Sequence, residues 1–102
     1  MADVTKAIQI VTKTGQTILG AKESIRAIKL GDVKLVILAT NTPSTIRNDV
    51  LHYAKLSEIP TLEFEGSSLD LGFVCGKPFL VSVVSVQEPG DSDILQLVED
   101  SN

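Results

Sequence analysis

An unbroken apolar run, residues 35–39 with the sequence LVILA, is the feature that most constrains the fold of this chain. A strand with one exposed face alternates apolar and polar residues, whereas this run has no polar position. It therefore predicts a central strand that is covered on both faces. The preceding segment supports this interpretation, because Ala21, Ile25 and Ile28 recur at the three- and four-residue spacing of an amphipathic helix.

Helix and strand patterns alternate along the rest of the chain. Helices are predicted over about 5–13, 21–30, 43–57, 68–75 and 94–98, and strands over 17–19, 35–39, 61–64 and 80–86. Such alternation, with right-handed crossovers, makes the first three strands mostly parallel and puts helices on both faces of the sheet. We therefore expect an α/β fold, a single-domain three-layer αβα sandwich with a mostly parallel or mixed four-stranded sheet, over residues 1–102.

Local signals set several boundaries of these elements. The Thr-Pro pair at 42–43 predicts an N-cap followed by a first-turn proline. Ser67 with Asp70 three residues later resembles a capping box, and Asp3 is a candidate cap for the first helix. The polar residues 99–102 predict a short tail after the last helix.

The composition excludes several classes of function. Cys75 and His52 are the single cysteine and the single histidine, so neither an internal disulfide nor a Cys/His zinc site can form. No group of side chains supplies a nucleophile, a base and an orienting partner. We therefore expect a protein with no enzymatic activity, no cofactor and no metal.

The single cysteine fits an intracellular location, and the resemblance described below implies the cytoplasm. No apolar run approaches the roughly 20 residues that a membrane-spanning helix needs. The start of the chain, MADVTKAIQIV, lacks the basic and apolar regions of a signal peptide.

Charge is distributed unevenly along the chain. The net charge is −4, but residues 1–55 hold eight basic and four acidic side chains, whereas residues 56–102 hold one basic and nine acidic side chains. Such asymmetry can mark a basic binding face. Taken alone, however, the small basic excess is more typical of charges that only solvate the surface.

Small, basic and amide side chains follow the first two predicted strands. Gly20 and Lys22 come after the first strand, and Asn41 comes after the second. Because the carboxyl ends of parallel strands meet at one edge of a sheet, we expect these residues to lie together. Lys22, Arg26 and Lys29 share one face of the intervening helix. A glycine allows close approach, while lysine and asparagine can bind phosphates or base edges, so the sequence predicts an RNA-binding edge.

Each of these residues also has a purely structural interpretation. Gly20 can serve a turn, the basic stripe can simply solvate a helix, and Asn41 can brace the turn before Pro43. Phe79, taken alone, is more typical of the core. The residues by themselves leave these alternatives open.

Several long segments resemble one known family. They are LGAKESIRAIKLGDVKLVILATNTP, HYAKLSEIPTLEFEG, LDLGFVCGKPF and VVSVQEPGDSDIL. Together they resemble the archaeal and eukaryotic large-subunit ribosomal protein family L-thirty-e, over about residues 6–95 and in the same order. That family belongs to the kink-turn RNA-binding superfamily that includes L-seven-Ae. A kink-turn is an RNA internal loop that is sharply bent beside tandem sheared G·A pairs.

The resemblance implies roles for particular residues. Gly20 and Lys22 match the glycine and lysine with which the family touches the G·A-rich stem, and Asn41 matches an RNA-contacting asparagine. Phe79 matches an aromatic or apolar position that packs against the RNA. Our full predicted RNA-binding set is Gly20, Lys22, Glu23, Arg26, Lys29, Asn41, Arg47, Ser68, Gly72, Lys77 and Phe79.

Glu23 departs from the family pattern, which commonly has a small or basic residue there. It could accept a hydrogen bond from a guanine, or pair with Arg26 and repel phosphate. Ser68 and Gly72 fall in the neighbouring loop and helix, and Arg47 lies where the family often has basic residues that could meet phosphate.

The resemblance thus implies a structural component of the large ribosomal subunit that binds kink-turn ribosomal RNA. Its expected partners are that RNA and other ribosomal proteins, with no membrane and no small-molecule substrate. One alternative is a kink-turn-binding protein of a non-ribosomal ribonucleoprotein. Another is a small αβα module for ligand or protein binding, whose sign would be a deep apolar pocket at the same edge.

Overall fold

The computed structural model of the protein describes the backbone of residues 4–101 and the side chains of residues 4–98. Helices and strands alternate through this part of the chain. They are α1 (Val4–Thr14), β1 (Gln16–Leu19), α2 (Ala21–Lys29), β2 (Leu35–Ala39), α3 (Ser44–Leu56), β3 (Thr61–Phe64), α4 (Ser68–Val74), β4 (Val83–Glu88) and α5 (Ile94–Ser101).

The strands form one mixed sheet in the order β1-β4-β2-β3. β4 is antiparallel to both of its neighbours, with Leu19 opposite Val84 and Leu38 opposite Val83, while β2 and β3 are parallel. Consequently β1, β2 and β3 run in the same direction, as the sequence predicted, and their carboxyl ends lie at one edge of the sheet.

β2 is buried on both faces, which confirms the prediction made from the apolar run 35–39. Leu35 and Ile37 pack into a core with α1, α4 and α5, whereas Val36 and Leu38 pack into a second core with α2 and α3. The sheet therefore lies between two helical layers, which is the expected αβα sandwich. Burial of each such leucine or isoleucine contributes about 1.5–3 kcal/mol.

The loop before α5 is tied to α1. The Asp91 backbone N–H donates to Thr14 Oγ1 over 2.9 Å, and Ser92 Oγ donates to the Ala7 carbonyl over 2.7 Å. Gly90 approaches so closely that a Cβ there would lie 2.4 Å from Thr14 Oγ1. The Gly-Asp-Ser segment thus serves to pack α5 against α1.

The predicted start of the third helix is wrong by one residue. The helix begins at Ser44 with Pro43 as its N-cap, and no side chain caps it. The Thr42 side chain is buried, and its Oγ1 donates to the Ala39 carbonyl over 2.7 Å. Thr42 therefore does not cap the helix.

Two further boundaries differ from the sequence-based prediction. β4 begins at Val83 instead of Leu80, because the Val81 N–H donates to the Ser68 carbonyl in α4 over 3.0 Å and not to a neighbouring strand. The predicted polar tail is helical as far as Ser101, since α5 continues through it. Asn102 and the candidate cap Asp3 lie outside the described residues.

The predicted capping box is confirmed at α4. The Asp70 N–H donates to Ser67 Oγ over 3.3 Å, and the Ser67 N–H donates to Asp70 Oδ2 over 3.1 Å. Within residues 4–101, none of the helices is long and apolar enough to cross a membrane.

Candidate nucleic-acid interface

The ends of β1, β2 and β3 and the start of β4 bring four loops to one edge of the sheet. We call this edge the rim, and it consists of residues 20–23, 40–42, 66–68 and 77–82. The start of β4 joins its parts, because the Val83 carbonyl accepts from the Gly20 N–H over 2.9 Å and the Ser82 carbonyl accepts from the Ala39 N–H over 2.9 Å. The Thr40 N–H, in turn, donates to the Gly66 carbonyl over 2.9 Å.

Gly20 occupies a backbone conformation that other residues rarely adopt, with φ 116° and ψ 150°. A Cβ there would meet no atom within 4 Å, so packing does not require the glycine. The conformation requires it, because φ in this range is strained for residues with a side chain. The open space also leaves the backbone before α2 accessible to a ligand.

Lys22 and Glu23 are exposed at the start of α2, where Gly20 is the N-cap and provides no side-chain cap. Arg26 is exposed one turn further along the helix. Lys29 lies about 10 Å beyond Lys22, given a rise of about 1.5 Å per residue. Its Nζ lies over the Tyr53 ring, 4.6 Å from the centroid, so the structure uses Lys29 in the contact between α2 and α3.

Asn41 is exposed and is held in place by Ser68. Asn41 Oδ1 accepts from the Ser68 N–H over 2.7 Å, and Asn41 Nδ2 donates to Ser68 Oγ over 3.3 Å. Because a backbone N–H can only donate, these contacts fix which way the amide points. The amide retains one N–H and one lone pair for a ligand. Asn41 therefore has a bracing role within the protein. Its amide still has one donor and one acceptor available to a ligand at the rim.

Arg47 is mostly withdrawn from solvent, since its side chain is 22% exposed. Its Nη1 donates to Glu63, and its Nη2 donates to the Ala39 carbonyl over 2.7 Å. These bonds tie α3 to the ends of β2 and β3. The structure thus places Arg47 beneath the rim as a brace, with its charge opposed by Glu63.

Gly72 allows the loop at 77–82 to lie against α4. A Cβ on Gly72 would fall 2.1 Å from the Phe79 carbonyl oxygen, and the Lys77 N–H donates to the Gly72 carbonyl over 2.9 Å. Gly72 and Ser68 are both buried, so they support this part of the rim from below.

The supported loop presents apolar side chains to solvent. Phe79 is 55% exposed and Leu80 is 64% exposed, so the core placement considered for Phe79 is wrong. Lys77 is exposed in the same loop. Residues 77–80 were expected at the docking edge, but Leu80 was also predicted to begin the last strand, because residues 80–86 have the pattern of a strand; the structure places it in the loop before β4.

The charges around the rim nearly balance. Exposed Lys22 and Lys77 are accompanied by exposed Glu23, Glu65 and Asp70. A strong attraction for many phosphates is therefore excluded. The arrangement instead suits a ligand that is recognised by shape, by a few polar edges and by apolar contact.

The structure gives little support for nucleophilic chemistry by Cys75 or for metal binding. Burial raises the pKa of the Cys75 thiol from 9.0 to about 11, against the opposing effect of Lys77, so the thiol is protonated and weakly nucleophilic at neutral pH. Among the residues whose side chains are described, no group of three or more His, Cys, Asp or Glu could hold a metal ion.

Two surface cavities are lined by residues outside the rim. One, of about 340 Å³, is lined by Val33, Ile59 and Leu95 among others, and the other, of about 270 Å³, is lined by residues of α1 and of the end of α4. Neither is lined by Lys22 or Asn41.

Sequence and structure comparisons place the chain among proteins of similar length. Residues 2–96 match the family described as Ribosomal protein L7Ae/L30e/S12e/Gadd45 family. The chain is 52% identical over 97 residues to large ribosomal subunit protein eL30 of Methanosphaera stadtmanae, which covers 95% of this chain and 99% of that protein. It is 46% identical over 93 residues to the eL30 protein of Saccharolobus solfataricus, with coverage of 91% and 86%.

A solved structure supports the fold assignment. It is that of a protein of unknown function from Bacillus halodurans, with a TM-score of 0.81, 23% sequence identity, and coverage of 98% of this chain and 99% of that one. At this identity the likeness shows a shared αβα fold.

Proposed function

The chain belongs to the ribosomal protein L7Ae/L30e/S12e/Gadd45 family, and from this premise we propose that it binds a kink-turn of ribosomal RNA as a structural component of the large ribosomal subunit. Relatives of nearly the same length are named large ribosomal subunit protein eL30, which supports the ribosomal role. On this proposal the protein is non-enzymatic, works on the cytoplasmic ribosome, and has ribosomal RNA and other ribosomal proteins as partners.

One observation carries the proposal. Gly20, Lys22 and Asn41 come from two separate strand ends, yet they lie on the same rim of the sheet, exposed or with open space before them. The apolar side chain of Phe79 reaches the same rim through the loop before β4. Residues 4–101 would thus act as one RNA-binding domain.

Each of these groups has a distinct role in the proposed complex. The open backbone at Gly20 lets the start of α2 approach the groove beside the G·A pairs, where Lys22 contacts a guanine edge. The free N–H of the Asn41 amide donates to a second base. Phe79, with Leu80 beside it, gives apolar contact to a base that the bend has unstacked.

The remaining predicted residues divide into two groups. Glu23, Arg26 and Lys77 are exposed and can meet the RNA directly, with Arg26 and Lys77 as candidates for phosphates. The others support the rim or the helices behind it through contacts within the protein, namely Lys29, Arg47, Ser68 and Gly72.

Binding of two matched RNAs tests this proposal. One carries a kink-turn, and the other is the same RNA with its tandem G·A pairs replaced by Watson–Crick pairs, which abolishes the bend. We expect the protein to bind the kink-turn at least about 100-fold more tightly, which corresponds to about 2.7 kcal/mol. Equal affinity for the two RNAs would contradict the proposal.

The location of the protein distinguishes the ribosomal role from a role in another ribonucleoprotein. We expect the protein to co-sediment with large ribosomal subunits and to stay with them after low-salt washing. Its recovery only in small free particles would favour the alternative. A small-molecule role has less support, because the two cavities described above are not lined by Lys22 or Asn41.

A further inference from the structure

Thr42 is a buried member of the rim, with 6% of its surface exposed. Its Oγ1 lies between two carbonyl oxygens, 2.7 Å from that of Ala39 and 3.2 Å from that of Ser82. A hydroxyl has one proton, so the two carbonyls share it. We propose that this hydroxyl is a positioning group for RNA recognition, which holds Asn41 and the loop that carries Phe79 in one fixed arrangement. The inference rests on the proposed function.

The two carbonyls belong to different parts of the rim. Ala39 ends β2, two residues before Asn41, whereas Ser82 ends the loop at 77–82. The Ala39 N–H donates to the Ser82 carbonyl over 2.9 Å, and this backbone bond joins the two strand ends. The Thr42 hydroxyl extends the junction beyond β2, into the segment that carries Asn41.

The hydroxyl closes a ring of contacts around the rim. Asn41 bonds through its side chain to Ser68, and the Ser68 carbonyl accepts from the Val81 N–H over 3.0 Å. Val81 is followed by Ser82, whose carbonyl lies beside Thr42 Oγ1, and Thr42 is the chain neighbour of Asn41. Binding groups are held to within about 0.5 Å only when supporting bonds restrain them, and a closed ring provides that restraint.

Folding depends little on this hydroxyl, because its acceptors have other donors. The Ala39 carbonyl also accepts from the Thr42 N–H over 3.2 Å and from Arg47 Nη2 over 2.7 Å. The Ser82 carbonyl accepts from the Ala39 N–H. Removal of the hydroxyl therefore leaves neither carbonyl unpaired, and the loss of stability should be that of one ordinary hydrogen bond. The position of the hydroxyl, between the two parts of the rim, points instead to placement of the RNA-binding groups.

Two substitutions separate the hydroxyl of Thr42 from its methyl group. Thr42→Val removes the hydroxyl and keeps the shape, whereas Thr42→Ser keeps the hydroxyl and removes the methyl group. In fluorescence anisotropy with kink-turn RNA, Thr42→Val should bind about tenfold more weakly and Thr42→Ser within about twofold of the unmodified protein. Unchanged affinity of Thr42→Val, or an equal loss in both variants, would overturn the proposal.

The RNA with its G·A pairs replaced by Watson–Crick pairs shows whether the effect is one of selectivity. It does not match the shape of the rim, so its weak binding should be the same for Thr42→Val as for the unmodified protein. The preference for the kink-turn should thus fall about tenfold. An equal loss of affinity for both RNAs would contradict a role in placing the groups that recognise the bend.

Thr14→Val is a matched control that makes the same chemical change away from the rim. Thr14 Oγ1 donates to the Ile10 carbonyl and accepts from the Asp91 N–H, each over 2.9 Å, at the end of α1. The variant loses both bonds, so its urea midpoint should fall, yet its affinity for kink-turn RNA should stay within about twofold. A loss of affinity as large as that of Thr42→Val would mean that stability alone is responsible, and it would overturn the proposal.

A double substitution tests whether Thr42 acts through the loop. In a protein that already carries Phe79→Ala, the loop has lost its apolar contact with RNA, so its exact placement matters less. Thr42→Val should then weaken binding by no more than about threefold, against about tenfold in the unmodified protein. If the losses of the two single variants multiply in the double variant, the two residues act independently and the proposal is wrong.

The unmodified protein separates this inference from the proposed function. If it prefers kink-turn RNA and Thr42→Val shows the same preference, only the role of Thr42 is refuted. If the unmodified protein has no such preference, the proposed function fails and the role of Thr42 fails with it.

Discussion

Asn41 has two roles that different substitutions can separate. Its Oδ1 accepts from the N–H of buried Ser68 over 2.7 Å, and its amide keeps one N–H that Ser68 does not use. Asn41→Ala removes both groups. Because it leaves the Ser68 N–H without this acceptor, it should lower the free energy of unfolding by about 1–3 kcal/mol. Loss of a base contact should weaken kink-turn binding by a further 1–3 kcal/mol, or about 5- to 150-fold.

Asn41→Asp preserves one role and removes the other. A carboxylate still accepts from the Ser68 N–H at the start of α4, where negative charge is favourable. The free energy of unfolding, from urea denaturation, should therefore stay within about 0.5 kcal/mol of the unmodified protein or rise. RNA affinity should still fall by at least about tenfold, because the amide donors are lost and a negative charge is added.

The control is Gln16→Glu, which makes the same chemical change at the start of β1, at the opposite edge of the sheet. Fluorescence anisotropy with labelled kink-turn RNA should show this variant within about twofold of the unmodified protein. If Asn41→Asp binds the RNA as tightly as the unmodified protein, the rim does not face RNA at Asn41, and our assignment of the interface is wrong.

Four other predictions follow from the same structure. Gly20→Ala should lower the free energy of unfolding by about 1–3 kcal/mol through backbone strain alone, and urea denaturation with no loss would refute that account. Gly72→Ala should weaken RNA binding at least about tenfold by displacing the loop that carries Phe79; unchanged anisotropy would show that the loop does not contribute. Lys22→Ala should weaken kink-turn binding by about 1–3 kcal/mol through loss of its contact with a guanine edge, whereas unchanged anisotropy would mean that Lys22 touches no base. The raised pKa of Cys75, about 11 against 9.0, means that the unfolded state loses its proton first, so stability should fall as pH rises from 9 to 11. Cys75→Ala should abolish that part of the pH dependence in denaturation curves, and an identical profile for this variant would contradict the assignment.

Local sequence was sufficient for the elements whose signals are local. The apolar run 35–39 predicted β2 and its two-sided burial, and β3 was predicted with its observed bounds, Thr61–Phe64. The capping box was readable because Ser67 and Asp70 lie three residues apart and bond to each other's backbone. Such features depend on neighbours in the chain and need no knowledge of distant contacts.

The features that the sequence did not reveal depend on distant contacts. Gly72 was placed in the RNA-binding set. The structure shows instead that the lack of a side chain at Gly72 makes room for the carbonyl of Phe79, seven residues further along the chain. Arg47 on α3 was expected near phosphate, yet its bond to Glu63 on β3 holds it beneath the rim. The apolar outer face of α4 was not predicted, because residues 68–75 alone do not show which side of the helix packs against the sheet.

The position of β4 has a consequence for when the protein becomes competent to bind. It is the last strand in the chain, yet it occupies an interior place in the sheet, between β1 and β2. A nascent chain that ends before Val83 has no strand to fill the gap between them. Without β4, the sheet does not hold Gly20, which follows β1, next to Asn41, which follows β2. The proposed recognition of RNA therefore cannot begin during synthesis of the first four-fifths of the polypeptide, because the rim forms only when nearly the whole chain is complete.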